Sequence, residues 1–454
     1  MKRWMWLTLA AVVVAAAGVT LVALPKGDEW TTVSPEAMAE FQAGVDAQKK
    51  IYKDDAERHF ERALELDPDF VVANLFSLGY VPRDNSEVRE ARWAKVEAAD
   101  TSRLTQREKF FVERRIAYHE ERPDDADDLL EECLVKYPSD PYILYEKAMQ
   151  AWSRGRMEEA TRLYQELVEM SPNWVIAYNQ LGYINMGKGR FAEAEENFKS
   201  YRFIAPDQAN PHDSLGELFI TLGRYDEAEE TLERAIEIKP DFWASYAHLV
   251  LMKGLSGDLE GAREVITRAE RVEAPQNWLT EMDCGQRYMA MRNAEQWQEI
   301  LDLAETECAT DWKNGFATVT THFAASQLGN WEKALALEVE TANMLEKVEK
   351  GSEARIVMTL RGAFAHMQGV RLAFQGDYAE AEKQLRVADS EFTYIEAGTA
   401  TYKLYNLMIL AEVLLADNED AEAHGLLSKV RRVNPLMIAE FEDTGLKMLG
   451  LNRS

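Results

Sequence analysis

The chain has 454 residues, 46% hydrophobic and 10% aromatic, which is too apolar for a disordered tether and too long for one compact core. Its 51 basic and 79 acidic residues give a formal charge of −28, a balance that repels phosphate backbones and excludes a nucleic-acid partner from the expectations. Only 13 prolines and 24 glycines interrupt a sequence rich in Ala, Glu, Leu and Lys, so an all-α chain is expected.

The chain opens "MKRWMWLTLAAVVVAAAGVTLVALP", with Lys2 and Arg3 ahead of an uncharged run from Trp4 to Leu24. As a helix that run would be about 31 Å long, matching the hydrocarbon thickness of a bilayer. Trp4 and Trp6 stand where interfacial aromatics belong, and the two cations would stay in the cytoplasm. Residues 1–25 are therefore expected to be an inner-membrane anchor or a secretory signal, with residues 26–36 as a linker. An anchor would hold the body in the periplasm; a cleaved signal would leave it periplasmic or secreted. No cysteine follows the run, so lipoprotein processing is not expected.

A periodic pattern starts next. Residues 37–70 carry Gly44, Ala56, Phe60, Ala63 and Pro68, and residues 107–140 carry Ala126, Leu130, Cys133 and Pro138 in matching phase. Prolines then recur at Pro138, Pro172, Pro206 and Pro240, alanines at Ala126, Ala160, Ala194, Ala228 and Ala262, and glycines at Gly155, Gly189, Gly223 and Gly257, always 34 residues apart. In residues 209–242, Leu215, Leu218, Phe219 and Leu222 follow helical spacing, and Gly223 ends that helix where a left-handed residue is needed. A second helix runs through Ala228, Leu232, Ala235 and Ile238 until Pro240 stops it. Gly216 and Ala228 let the two helices approach closely. One such hairpin cannot bury both its faces, so stacked copies are expected.

The pattern resembles the tetratricopeptide repeat, with the best matches at residues 141–174, 175–208 and 209–242. "LGYINMGKGRFAEAEENFKSYRFIAP" holds Leu181, Gly182, Ala194, Phe198 and Pro206 in the family's positions. Residues 243–276 fit through Ala262 and Ala269, with Pro275 one place late. Residues 37–276 thus read as a regular array, and residues 277–437 as degenerate hairpins around Ala334, Ala381 and Ala423 with longer first helices or loops. A last helix from Leu436 to Leu449 would cap the end, within a final segment 438–454. The fold class implied is all-α, a right-handed α-solenoid of about ten to eleven tetratricopeptide-like hairpins behind an N-terminal hydrophobic helix. "LTQREKFFVERRIAYHEERPDDADDLLEECLVKYPSD" also looks like repeat arrays found behind bacterial membrane-bound regulators.

The resemblance implies a concave groove lined by first helices. Its positions fall on Phe111, Arg115 and Tyr118, then Tyr142, Tyr145, Met149 and Trp152, then Ile176, Asn179, Tyr183 and Met186, with Asp213 and Glu217 making an acidic end. Tyr, Trp, Met and Arg are enriched at interface hot spots, so a protein or peptide with apolar anchors and a basic flank is the expected partner. Some of these aromatics could instead pack between adjacent first helices. A small-ligand or sensory module without catalysis is the alternative reading.

No nucleophile elbow, phosphate loop or metal-ligand spacing occurs, and the seven histidines are scattered. No enzyme, metal or cofactor is expected. Cys133, Cys284 and Cys308 form no CxxC motif; Cys284 and Cys308 could pair in an oxidising compartment or stay as buried thiols.

Overall fold

The computed structural model describes residues 30–81, 85–306, 308, 315–349, 354–443 and 448–451. The expected anchor or signal at residues 1–25 lies outside them, and among the described residues no helix is long and apolar enough to cross a membrane. Two compact units divide the chain, Met1–Pro138 and Ser139–Ser454.

In the first unit α1 (Pro35–Lys49), α2 (Lys53–Leu66), α3 (Val71–Ser77), α4 (Ser86–Glu97), α5 (Gln106–His119) and α6 (Pro123–Lys136) form successive hairpins. Ser34 caps α1 by accepting from the Ala37 N–H at 3.1 Å. Thr105 and Glu108 form a reciprocal capping box at the start of α5. Trp30, within the stretch expected to be a linker, is only 3% exposed and packs on Phe41, Phe76 and Phe111 with ring centroids 5.4, 5.8 and 6.0 Å away. Burying so large a ring docks residues 30–34 onto the hairpins.

The second unit continues with α7 (Pro141–Ser153), α8 (Met157–Met170), α9 (Val175–Gly187), α10 (Phe191–Ile204), α11 (Ala209–Thr221), α12 (Tyr225–Ile238), α13 (Trp243–Leu255) and α14 (Leu259–Arg271). It then runs through α15 (Gln276–Asn293), α16 (Trp297–Leu303), α17 (Gly315–Gln327), α18 (Trp331–Val348), α19 (Ala354–Phe374), α20 (Tyr378–Glu391), α21 (Ala397–Ala416), α22 (Asp420–Val433) and α23 (Pro435–Asp443). No strand occurs among the described residues. The periodic alanines at 160, 194, 228 and 262 are fully buried, as are Ala334, Ala381 and Ala423 of the degenerate repeats. A larger residue there would push the two helices of a hairpin apart. The periodic glycines adopt the left-handed conformation the turn demands, with φ of 71, 70, 69 and 78° at Gly155, Gly189, Gly223 and Gly257. Where glycine is missing, Glu295 and Asn418 take the same backbone form at φ 55 and 66°. First helices keep 13 residues in α13 and α17 but reach 18, 21 and 20 in α15, α19 and α21, which is where the sequence phase weakens.

The chain around α21 folds back onto the regular repeats. Residues 394 and 395, just before α21, sit against Gly189 and Gly187, and the Tyr394 ring meets Phe191 at 5.3 Å. Asn434 seats on Gly223 and donates to the Ile220 carbonyl at 3.4 Å. The driving force is α21 itself, "AGTATYKLYNLMILAEVLLA", in which residues from Leu404 to Ala416 are buried almost without a break. A helix apolar all round needs cover on every side. Correspondingly, all 13 residues of α11 are buried, between its repeat neighbours and α21.

The final helix is shorter than expected. Its described part is Pro435–Asp443, and Met448 and Leu449 are no longer helical: the backbone N–H groups of Met448, Leu449 and Leu451 donate to the Glu412 carboxylate at 2.6, 2.8 and 2.9 Å. A buried carboxylate takes over donors that a continuing helix would have used. Cys284 and Cys308 form a disulfide with Cα atoms 5.4 Å apart; Cys308 lies beyond the end of α16 rather than on it.

Candidate functional site on the inner face of the repeats

Within each unit the expected groove residues differ in exposure. In the first unit Phe111 is half-buried, packing on the edge of the core with Phe76 at 5.9 Å and Trp30 at 6.0 Å. Arg115 is exposed. Tyr118 is half-buried beneath the Arg114 guanidinium at 5.2 Å, its hydroxyl 3.4 Å from Asp127.

In the second unit α7 presents Tyr142, Tyr145, Met149 and Trp152. Tyr142 stands edge-on to Trp174 at 4.8 Å, and Tyr145 lies between Trp174 at 5.9 Å and Tyr164 at 6.3 Å. Burial pushes the Tyr145 phenol above its ordinary range, with Glu146 adding to the shift. Met149 and Trp152 remain half-exposed.

At α9 and α11 the groove expected to be open is occupied by the chain itself. Ile176, Asn179, Met186, Asp213 and Glu217 are all buried, at 8, 3, 0, 3 and 3% exposure. Glu217 Oε1 accepts from the backbone N–H of Ala397 at 2.8 Å, at the start of α21, and Glu217 Oε2 accepts from the Tyr183 hydroxyl at 2.7 Å. Ser214 donates to Asn179 Oδ1 at 2.9 Å. Asp213 Oδ1 accepts from the Ser245 hydroxyl at 2.7 Å and faces His248 Nδ1 at 3.0 Å, while His248 Nε2 stands 3.7 Å from Glu217. The acidic end read as a seat for a basic flank thus meets an internal imidazolium and the positive end of a helix dipole.

The electrostatics follow from that closure. Burial opposes charge on His248, but the Asp213 and Glu217 carboxylates outweigh it and raise its pKa to about 9. Burial raises Glu217, with His248 pulling the other way, and burial plus Glu217 holds the Tyr183 phenol far above its usual range. His248, Ser214 and Ser245 were not singled out from sequence. The signal for the closure was the largely apolar run of α21, interrupted between Leu404 and Ala416 by only Asn406 and Glu412, which no single repeat can cover.

Among the described residues no group of three or more His, Cys, Asp or Glu side chains could hold a metal ion.

Tetratricopeptide repeat models match residues 185–251, and residues 115–173 and 145–211. No curated protein matches the sequence. Among solved structures, the Cut9–Hcn1 hetero-tetramer of APC/C is 15% identical, over 90% of this chain and 76% of that one, with a TM-score of 0.47. A tetratricopeptide repeat protein from Parabacteroides merdae ATCC 43184 is 15% identical over 58% of this chain and 98% of its own, at a TM-score of 0.39. A double mutant of MamA RS-1 is 19% identical over 36% of this chain and 92% of its own, at 0.32. Residues 115–251 are tetratricopeptide repeats, and the described chain is an all-helical solenoid of such repeat-like hairpins.

Proposed function

We propose that this protein is a tetratricopeptide repeat scaffold of the bacterial envelope, tethered to the inner membrane by residues 1–25, that captures a protein or peptide partner. The observation that carries the reading is the inner face of α7, where Met149 and Trp152 stay half-exposed while Met186 of α9 and Glu217 of α11, at the corresponding repeat positions, are buried. A Met and a Trp side by side supply adaptable apolar anchors for a partner segment. Repeats of this family typically act as non-catalytic scaffolds. The disulfide between Cys284 and Cys308 supports a body on the extracytoplasmic side, since such bonds persist in oxidising compartments. Tethering would raise the local concentration of a membrane-proximal partner.

The test is a crosslinked capture from membranes with the full chain and with a Met149→Ala/Trp152→Ala variant. Tyr145 is left intact because it packs against Tyr164 and Trp174. A partner held by the parent and lost by a variant of unchanged helical content supports the reading. Equal capture by both removes α7 from it.

A further inference from the structure

A cavity of about 900 Å³ opens in the second unit where α13, α15 and α17 face α21. That volume lies in the range of small-molecule sites, roughly 300–1,000 Å³. Leu255, Met282, Met289, Phe316, Phe323 and Ile409 give it apolar walls. Two lining glycines, Gly285 and Gly398, have no atom within 4 Å of where a Cβ would stand, so even side chains added there would meet open space.

The polar groups of the lining are incompletely matched. Gln286 is 5% exposed; its amide N–H donates to the Val250 carbonyl at 3.2 Å, yet its Oε1 has no partner. The Tyr402 hydroxyl is likewise buried without a partner. Buried polar atoms left unpaired in this way cost free energy that an occupant would recover. Arg292 lies with its guanidinium 4.4 Å from the Tyr405 ring and has no carboxylate partner among the described residues. That is notable in a chain where acidic residues outnumber basic ones 79 to 51. Its charge is felt by both Tyr402 and His366, so these side chains surround one end of the cavity. His366 is pushed down to about 4, chiefly by burial, and is neutral at physiological pH, leaving Arg292 as the cation of that end. The two lining carboxylates sit elsewhere: Glu281 is eleven residues, about 16 Å, back along α15, and Glu396 is nine residues, about 13 Å, before Tyr405 and is paired with Arg355.

We propose that this cavity binds an aliphatic carboxylic acid, its carboxylate held by Arg292 and the Tyr402 hydroxyl and its hydrocarbon body laid against the Met, Leu and Phe walls. The guanidinium over the Tyr405 ring has N–H groups to offer a carboxylate, a charge-assisted pairing of the strong kind. Gln286 Oε1, an acceptor, takes a hydroxyl or a retained water. The site is separate from the partner surface proposed on α7, and neither reading requires the other.

The experiment uses the full chain and a photoactivatable diazirine analogue of tetradecanoic acid, with crosslinks mapped by peptide mass spectrometry. Crosslinks on α13, α15, α17 and α21 are expected, displaced by decanoate and about tenfold less well by decanol. Arg292→Gln should weaken labelling about tenfold, and Gly398→Phe, which fills the cavity from a position with open space, should abolish it. Circular dichroism on each variant separates loss of binding from loss of fold. Labels scattered over the surface or confined to residues 1–25, equal displacement by decanol, or unchanged labelling of a folded Arg292→Gln protein would overturn the proposal. So would displacement by an apolar helical peptide but not by decanoate.

Discussion

Glu217 accepts a hydrogen bond from the backbone N–H of Ala397, 180 positions further along the chain, at 2.8 Å. A first helix of a regular repeat thereby binds the start of α21 in place of a partner. Replacing Glu217 by Ala leaves the Ala397 N–H and the Tyr183 hydroxyl without that acceptor and should destabilise the protein by about 3 kcal/mol. Glu217→Gln keeps an acceptor and should cost clearly less. Urea titrations of both variants decide it; equal midpoints for Ala, Gln and parent would show that the contact contributes nothing.

His248 makes stability depend on pH. Its folded pKa of about 9 exceeds the ordinary value of 6.5, so its stabilising contribution is complete below about 6.5 and is lost as pH rises through about 9. The shift sets an upper bound of about 3 kcal/mol on the loss. His248→Gln should remove this alkaline dependence. Denaturation curves at pH 7 and 9.5 check the sign, and parallel declines in parent and variant would refute the assignment.

Gly182 and Gly425 should respond in opposite directions to the same substitution. A Cβ on Gly182 would stand 2.3 Å from the Phe198 ring, so Gly182→Ala forces the hairpin open at a cost of about 1–3 kcal/mol. Gly425 is exposed within α22 with nothing within 4 Å of its Cβ position, and Gly425→Ala should stabilise by about 0.5–1 kcal/mol. Thermal melts of the two variants should move to either side of the parent.

The Cys284–Cys308 bond closes a loop of 24 positions, for which chain entropy predicts a contribution of about 3 kcal/mol. Thiol titration of the unfolded, unreduced chain should find one thiol, Cys133, and after reduction three. Three thiols before reduction would remove the disulfide, and with it a support for an oxidising compartment.

Much of the repeat was legible because each letter has a local cause. Gly223 marks a turn that requires φ near 69°, and Ala228 marks a contact too tight for a larger side chain. Both constraints act within one hairpin and leave a trace at a fixed period. The groove was legible only as a set of positions. Phe111 has the composition of a hot spot, yet half its ring is spent on Trp30, ahead of α1, and Phe76, in α3.

By itself the sequence determined the hairpin, its 34-residue period and the all-helical class, since helical spacing, turn glycines and helix-stopping prolines act between near neighbours. Only the tertiary structure decided that α21 lies on the inner face of α11, that Asp213 and Glu217 hold His248 and not a visiting cation, and that Arg292 meets Tyr405 at the wall of a cavity. Those relationships join residues up to 180 positions apart, and they arise because an all-round apolar helix must find cover wherever the chain can supply it.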